Sequence, residues 1–197
     1  MKKICIFCGS SMGHNPLYRE KAAALAKAMA ERQCELLYGG GSVGLMKIIA
    51  DVMLQRHCKV VGTITEQLMD MEVGYKDINE LIIVDSMAER KKILEDMADG
   101  FIAMPGGYGT MDELFEAAVL VQLRVYDKPV AIYNVNGYYD KLLDFLRHAV
   151  GEGFIQRPHL DNLIVSDDPK ELLDKMEHFQ PANIKKWVDE IKEQLKD

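Results

Sequence analysis

The chain has 197 residues, 48% of them hydrophobic and 28% charged, which excludes a disordered or fibrous protein and fits one globular core. Its 24 basic and 31 acidic residues leave a net charge of −7, which repels polymeric nucleic acid and anionic membrane surfaces. Apolar runs are too short for a signal peptide or a membrane span, and the four cysteines are too few for a disulfide scaffold, so a cytoplasmic location is expected.

Short β-branched runs at 3–7, 35–38, 59–63, 81–84, 101–104 and 130–133 alternate with helix-forming stretches such as 18–31. That alternation predicts an open parallel sheet with helices on both faces, in a single α/β domain. The stretch 66–79 is polar and irregular, a long loop or a short helix of the kind that lines sites. The body is expected to span 1–180. Beyond it, 181–197 reads as an amphipathic helix, with Ile184, Trp187, Val188, Ile191 and Leu195 at helical spacing. Packing on the body is the expected fate of that helix, and a partner surface is the alternative.

Ligands of open parallel sheets bind beyond the carboxyl ends of the strands, and three turns there carry glycine. Cys8-Gly9-Ser10-Ser11 follows the first strand. In the second turn Gly39, Gly41 and Gly44 satisfy G-x-G-x-x-G with Glu66 downstream, but the pattern opens the second strand-helix unit, and Leu45 rather than Lys follows Gly44. A tight turn with close helix packing and a phosphate contact explain it equally well. In the third turn Pro105 stops a strand, Gly106, Gly107 and Gly109 free the backbone around Tyr108, and Thr110 is placed to cap a helix. Asp112 and Glu113 fall in its first turn, with Glu116 one turn beyond Glu113. The rest of that helix is apolar on almost every side, which suggests cover by a second subunit.

Upstream, Ser86 and Glu89 have capping-box spacing. Arg90 and Lys91 are either solvated charges or holders of a phosphate, with Arg90 suited to a bidentate grip. Cys5 and Cys8 face opposite sides of a strand and are expected to be buried thiols, and the five histidines form no metal-binding pattern.

Taken together, Tyr38-Gly-Gly-Gly-x-x-Gly-Leu-Met46, Met87-x-x-Arg90-Lys91 and Pro105-Gly-Gly-Tyr-Gly-Thr-x-x-Glu113 resemble the Lonely Guy family of cytokinin riboside 5′-monophosphate phosphoribohydrolases, over residues 3 to about 165. Members are often labelled lysine decarboxylases, yet no lysine here stands in a pyridoxal phosphate context. The resemblance implies a Rossmann-like homodimer that hydrolyses the N-glycosidic bond of an adenosine 5′-monophosphate, often N6-substituted, to free base and ribose 5-phosphate, without metal or cofactor. It implies that Gly106, Gly107, Tyr108, Gly109 and Thr110 cradle the 5′-phosphate, that Arg90 and Glu113 are catalytic, and that Lys91 flanks the nucleotide. It also implies substrate-binding roles for Glu72, Met87, Asp112 and Glu116. The chain departs from the family pattern where Asp112 replaces a glutamate, Lys47 a glycine, and Val119-Leu120-Val121-Gln122 a Thr-Trp-Ala-Gln. Two other classes use similar loops: a non-catalytic nucleotide or molybdenum-cofactor carrier, and a dinucleotide-dependent oxidoreductase binding at Gly39 to Gly44.

Overall fold

The computed structural model describes residues 1–71 and 73–182, so Glu72 and most of the expected 181–197 helix lie outside the described residues. The strands are β1 (Lys3–Phe7), β2 (Glu35–Tyr38), β3 (Val60–Thr65), β4 (Glu80–Val84), β5 (Gly100–Ala103), β6 (Val130–Tyr133) and β7 (Leu163–Ser166). They form one sheet in the order β4-β3-β2-β1-β5-β6-β7, with every neighbouring pair parallel. This is the expected Rossmann-like arrangement. The unexpected β7 is an edge strand directly behind the short helix α7 (Arg157–Asp161), and only its last residue, Ser166, is buried.

Alternation along the strands divides the core between two faces. Ile4, Ile6, Leu36, Tyr38, Val60 and Ile102 point to one side, where they pack beneath α1 (Leu17–Glu31), α2 (Gly44–Gln55) and α8 (Pro169–Glu177). Cys5, Phe7, Leu37, Val61 and Phe101 point to the other, beneath α4 (Met87–Met97), α5 (Tyr108–Gln122) and α6 (Asp140–Gly151). Both faces are covered, as the crossover helices of a parallel sheet require. The stretch expected to be a loop or short helix begins with α3 (Glu66–Asp70), whose cap is the Thr65 side chain accepting from the Leu68 amide. No helix among the described residues is long and apolar enough to cross a membrane.

The glycine turns meet where the strand order reverses, between β1 and β5. The Gly9 amide donates to the Pro105 carbonyl, and the Leu45 amide donates to the Gly9 carbonyl. Gly44, at φ +58, backs onto this junction so closely that a Cβ there would lie 2.3 Å from the Ser10 carbonyl. Gly44→Ala therefore combines a strained left-handed backbone, worth about 1 to 3 kcal/mol, with a backbone clash. The urea midpoint of this variant should fall clearly below that of the parent.

Candidate active site

A cleft of about 400 Å³ opens at the carboxyl edge of the sheet. Its polar wall is the start of α5. Gly107, in an extended conformation, is the N-cap, and no side chain caps the helix. Thr110 is thus not the expected cap but lies inside the first turn, because the helix begins already at Tyr108. For the same reason Asp112 and Glu113 fall beyond the first turn instead of within it, and the first turn holds no acid. The leading N–H groups of the helix are left for a ligand, in the manner of an anion site. Carbonyls of the preceding turn are turned away from the cleft: Tyr139 Oη donates to Met104 O, and Tyr138 Oη to Gly106 O, each at 2.6 Å. The Thr110 hydroxyl packs against Gly106, leaving no room for a Cβ there.

The floor of the cleft carries an ion pair. Arg90 enters from the first turn of α4, whose start is held by Ser86 Oγ accepting from the Glu89 amide at 3.2 Å. Its Nε donates to Thr63 O at 2.8 Å, and its Nη1 to Glu113 Oε1 at 3.0 Å. Both side chains are almost wholly enclosed, 9% and 12% exposed. Nη2 lies over Gly39, where a Cβ would stand 2.1 Å from it. Burial raises the Glu113 carboxyl above the ordinary range, while the Arg90 charge and hydrogen bond pull it back down. Cys8 also lines the cleft, but burial, reinforced by Glu113, pushes its thiol far up, so it is no thiolate nucleophile.

The opposite wall is apolar, built from Val43, Met46, Ile64, Leu68, Val73 and Met87. Leu68 and Val73 escaped the sequence reading, since nothing in an irregular polar stretch marks which side chain turns inward. Leu68 is carried in on α3, and Val73 by a short antiparallel contact in which Ser42 N donates to Val73 O and Tyr75 N to Gly40 O. The second glycine turn is thereby zipped to the 73–75 segment. Its role in this geometry is close approach, to Arg90 and to that segment.

Of the residues singled out in the sequence, Met87, Arg90, Gly107, Tyr108, Gly109, Thr110, Asp112 and Glu113 converge on the cleft. Tyr108 does so at its rim, 97% exposed. Lys91 and Glu116 do not line it. They pair at 2.5 Å beside a small separate void behind Glu113, and Lys91 also reaches Asp112 at 3.1 Å. No cluster of His, Cys, Asp and Glu among the described residues could hold a metal ion.

A family model described as "Possible lysine decarboxylase" matches residues 46–176. The chain is 44% identical over 181 residues to a cytokinin riboside 5′-monophosphate phosphoribohydrolase of Arabidopsis thaliana, covering 91% of this chain and 83% of that protein. It is 40% identical over 184 residues to a protein of Oryza sativa subsp. japonica named "Probable cytokinin riboside 5′-monophosphate phosphoribohydrolase", covering 93% of this chain and 75% of the other. Among solved structures, the molybdenum cofactor binding protein of Rippkaea orientalis superposes with a TM-score of 0.67 over 90% of this chain and 96% of that one, at 19% identity. That likeness is one of fold.

Removing the arginine isolates a buried carboxylate, which costs about 3 kcal/mol or more. The cost depends on pH with a definite sign. Glu113 already titrates above the ordinary carboxylate range, and loss of Arg90 moves it higher. A folded-state value raised in this way favours folding below the unfolded pKa, and that contribution vanishes as pH climbs through the folded value. Arg90→Met should therefore lose more stability relative to the parent at pH 8 than at pH 5, as read by urea unfolding at the two pH values.

Proposed function

This chain belongs to the Lonely Guy family of cytokinin riboside 5′-monophosphate phosphoribohydrolases, and from that premise we propose that its cleft hydrolyses the N-glycosidic bond of an adenosine 5′-monophosphate, plain or N6-substituted. The observation that carries this reading is the enclosed Arg90–Glu113 pair standing one helical turn past a row of free amides. A phosphate on the amides of 107–110 would set the ribose over the pair. The base would then lie against the apolar wall of Met46, Ile64, Leu68 and Met87.

Cleavage of an N-glycosidic bond develops positive charge on the ribose, with an oxocarbenium-like transition state. Glu113, held in one orientation by Arg90, faces that charge and orients or deprotonates the attacking water. Arg90 stays protonated, so it binds and positions without giving up a proton. Binding alone would not need a carboxylate beside the substrate's phosphate, which speaks against a carrier. Asp112, at the cleft edge, and Lys91 with Glu116 behind Glu113 support its setting rather than the chemistry.

The reading includes a homodimer. On the side of α5 away from the sheet, Phe115, Val119 and Leu123 are exposed, and a groove of about 220 Å³ runs between that helix and Leu146, Ile155 and Leu160. Phe145 and Phe154 lie exposed on neighbouring elements. A second copy would bury this face symmetrically. Four cysteines in 197 residues are too few for a disulfide scaffold, which is the ground for reading the protein as cytoplasmic.

Glu113→Gln should lower kcat for base release from AMP by about 10² with little change in substrate binding, since its part belongs to the transition state. Arg90→Ala should raise KM as well as lower kcat. The parent's activity should fall on the acid side above the ordinary glutamate range, because Glu113 must be ionised and its pKa is raised. A near-parental kcat in Glu113→Gln, folded by circular dichroism, would overturn the assignment. Light scattering at micromolar concentration should give the mass of a dimer, and Val119→Asp should shift it to that of a monomer.

A further inference from the structure

Four cysteines take no part in the hydrolysis. Cys5 and Cys8 belong to cores on opposite faces of the sheet and cannot meet. Cys34 and Cys58 stand differently. Helices α1 and α2 end alike: Gln33 and His57 adopt left-handed φ values of 55 and 58, and the following cysteine amides donate back to Met29 O and Met53 O at 3.1 and 3.0 Å. From these matching ends the chain enters β2 and β3, where Leu36 is the register partner of Val60.

Two residues before these partners, just ahead of β2 and β3, stand Cys34 and Cys58. Pairing continues to the residue before Val60, since Leu36 N donates to Lys59 O at 2.9 Å, and the Glu35 charge is near enough to Lys59 to raise its ammonium, after the larger effect of its bond to Glu80. Leu36 and Val60 point into the core beneath α1 and α2, and stepping back two residues returns to that face. Cys34 belongs to that core and Cys58 packs against it. The two thiols are near enough for Cys58 to act electrostatically on Cys34, and the strand spacing of about 4.8 Å, carried back from the Leu36–Val60 pair, falls inside the window of about 4.4 to 6.8 Å between α-carbons that a disulfide needs.

We propose that Cys34 and Cys58 are a disulfide-forming pair, joined when the protein meets a hydroperoxide. The Cys58 thiolate, the more exposed of the two, attacks one peroxide oxygen. The O–O bond breaks, Cys58 becomes a sulfenic acid, and hydroxide leaves to be protonated. The Cys34 sulfur then attacks the Cys58 sulfur, an S–S bond forms, and the sulfenic oxygen departs as water with the Cys34 proton. Two thiols are oxidised and one hydrogen peroxide is reduced to two waters. A cleft of about 250 Å³ lined by Met1, Arg32, Cys34, Leu173 and Glu177 gives the buried sulfur a route to solvent. Burial holds both thiols above their usual range, against the pull of Arg32 on Cys34 and of Arg56 on Cys58, so the geometry selects the pair and leaves the reaction slow at neutral pH. The bond would close the α2 loop at the amino edge of the sheet, opposite the candidate active site.

The test treats the full-length reduced protein with hydrogen peroxide, alkylates it with N-ethylmaleimide, digests it with trypsin without reductant and maps the peptides by mass spectrometry. Peptides 33–47 and 57–59 should appear joined, and dithiothreitol should separate them. The oxidised protein should melt several degrees higher and release base from AMP at an unchanged rate. In Cys34→Ser the sulfenic acid on Cys58 should be trapped by dimedone, and in Cys58→Ser the Cys34 thiol should remain free to alkylate. A parent protein with Cys34 alkylated while Cys58 carries sulfinic acid would overturn the proposal. So would a link between two chains or one to Cys5 or Cys8.

Discussion

The candidate site depends on the enclosure of the Arg90–Glu113 pair. Such a pair returns little net stability, because desolvation of both charges offsets their attraction. What it supplies is a carboxylate with one orientation. Three parts of the chain converge to hold it: the Thr63 carbonyl at the end of β3 accepts from Nε, Gly39 leaves space for Nη2, and α5 brings Glu113 to Nη1. Burial alone would drive Glu113 toward its neutral form, and the guanidinium opposes that drift. The balance between the two sets the pH range over which the carboxylate is charged.

The glycines divide their work around this pair. Gly107 supplies the extended backbone at which α5 starts uncapped, so the leading amides remain for an anion. Gly106 makes room for the Thr110 hydroxyl, and Gly44 lets α2 start against Ser10. The second glycine turn has the form of a dinucleotide fingerprint, but its backbone is committed elsewhere: Ser42 N and Gly40 O are spent on the 73–75 segment, and Gly39 lies under Arg90. A motif can thus match in pattern while part of its backbone is already in use.

The strands β1, β2 and β6 stand where alternation of β-branched residues put them, because a strand buried on both faces is a short apolar run between turn residues. The turn into α5 was equally legible as a turn, since Pro105 and three glycines stand between β5 and the helix. What the chain order concealed was convergence. Nothing local to Val73 says that a bridge to 40–42 turns it into the cleft, and nothing local to Lys91 says that Glu116 draws it behind Glu113. The helix start was displaced for a related reason. Thr110 has the chemistry of a cap, but the helix begins three residues earlier, after an extended Gly107, with no side chain capping it.

Helix α5 carries both functions ascribed to the chain. One stripe, with Leu114, Ala117 and Val121, is buried on the sheet, and the adjoining stripe, with Phe115, Val119 and Leu123, is exposed. Glu113 sits at the boundary, and the free amides are at the same end of the same rigid rod. An apolar contact along the outer stripe would therefore fix the axis on which both the anion site and the carboxylate are mounted. The departure from the family pattern at Val119-Leu120-Val121-Gln122 falls on this rod, well past the end that carries Glu113. It alters what α5 packs against while leaving the distance from Gly107 to Glu113, set by about one and two-thirds helical turns, as it was.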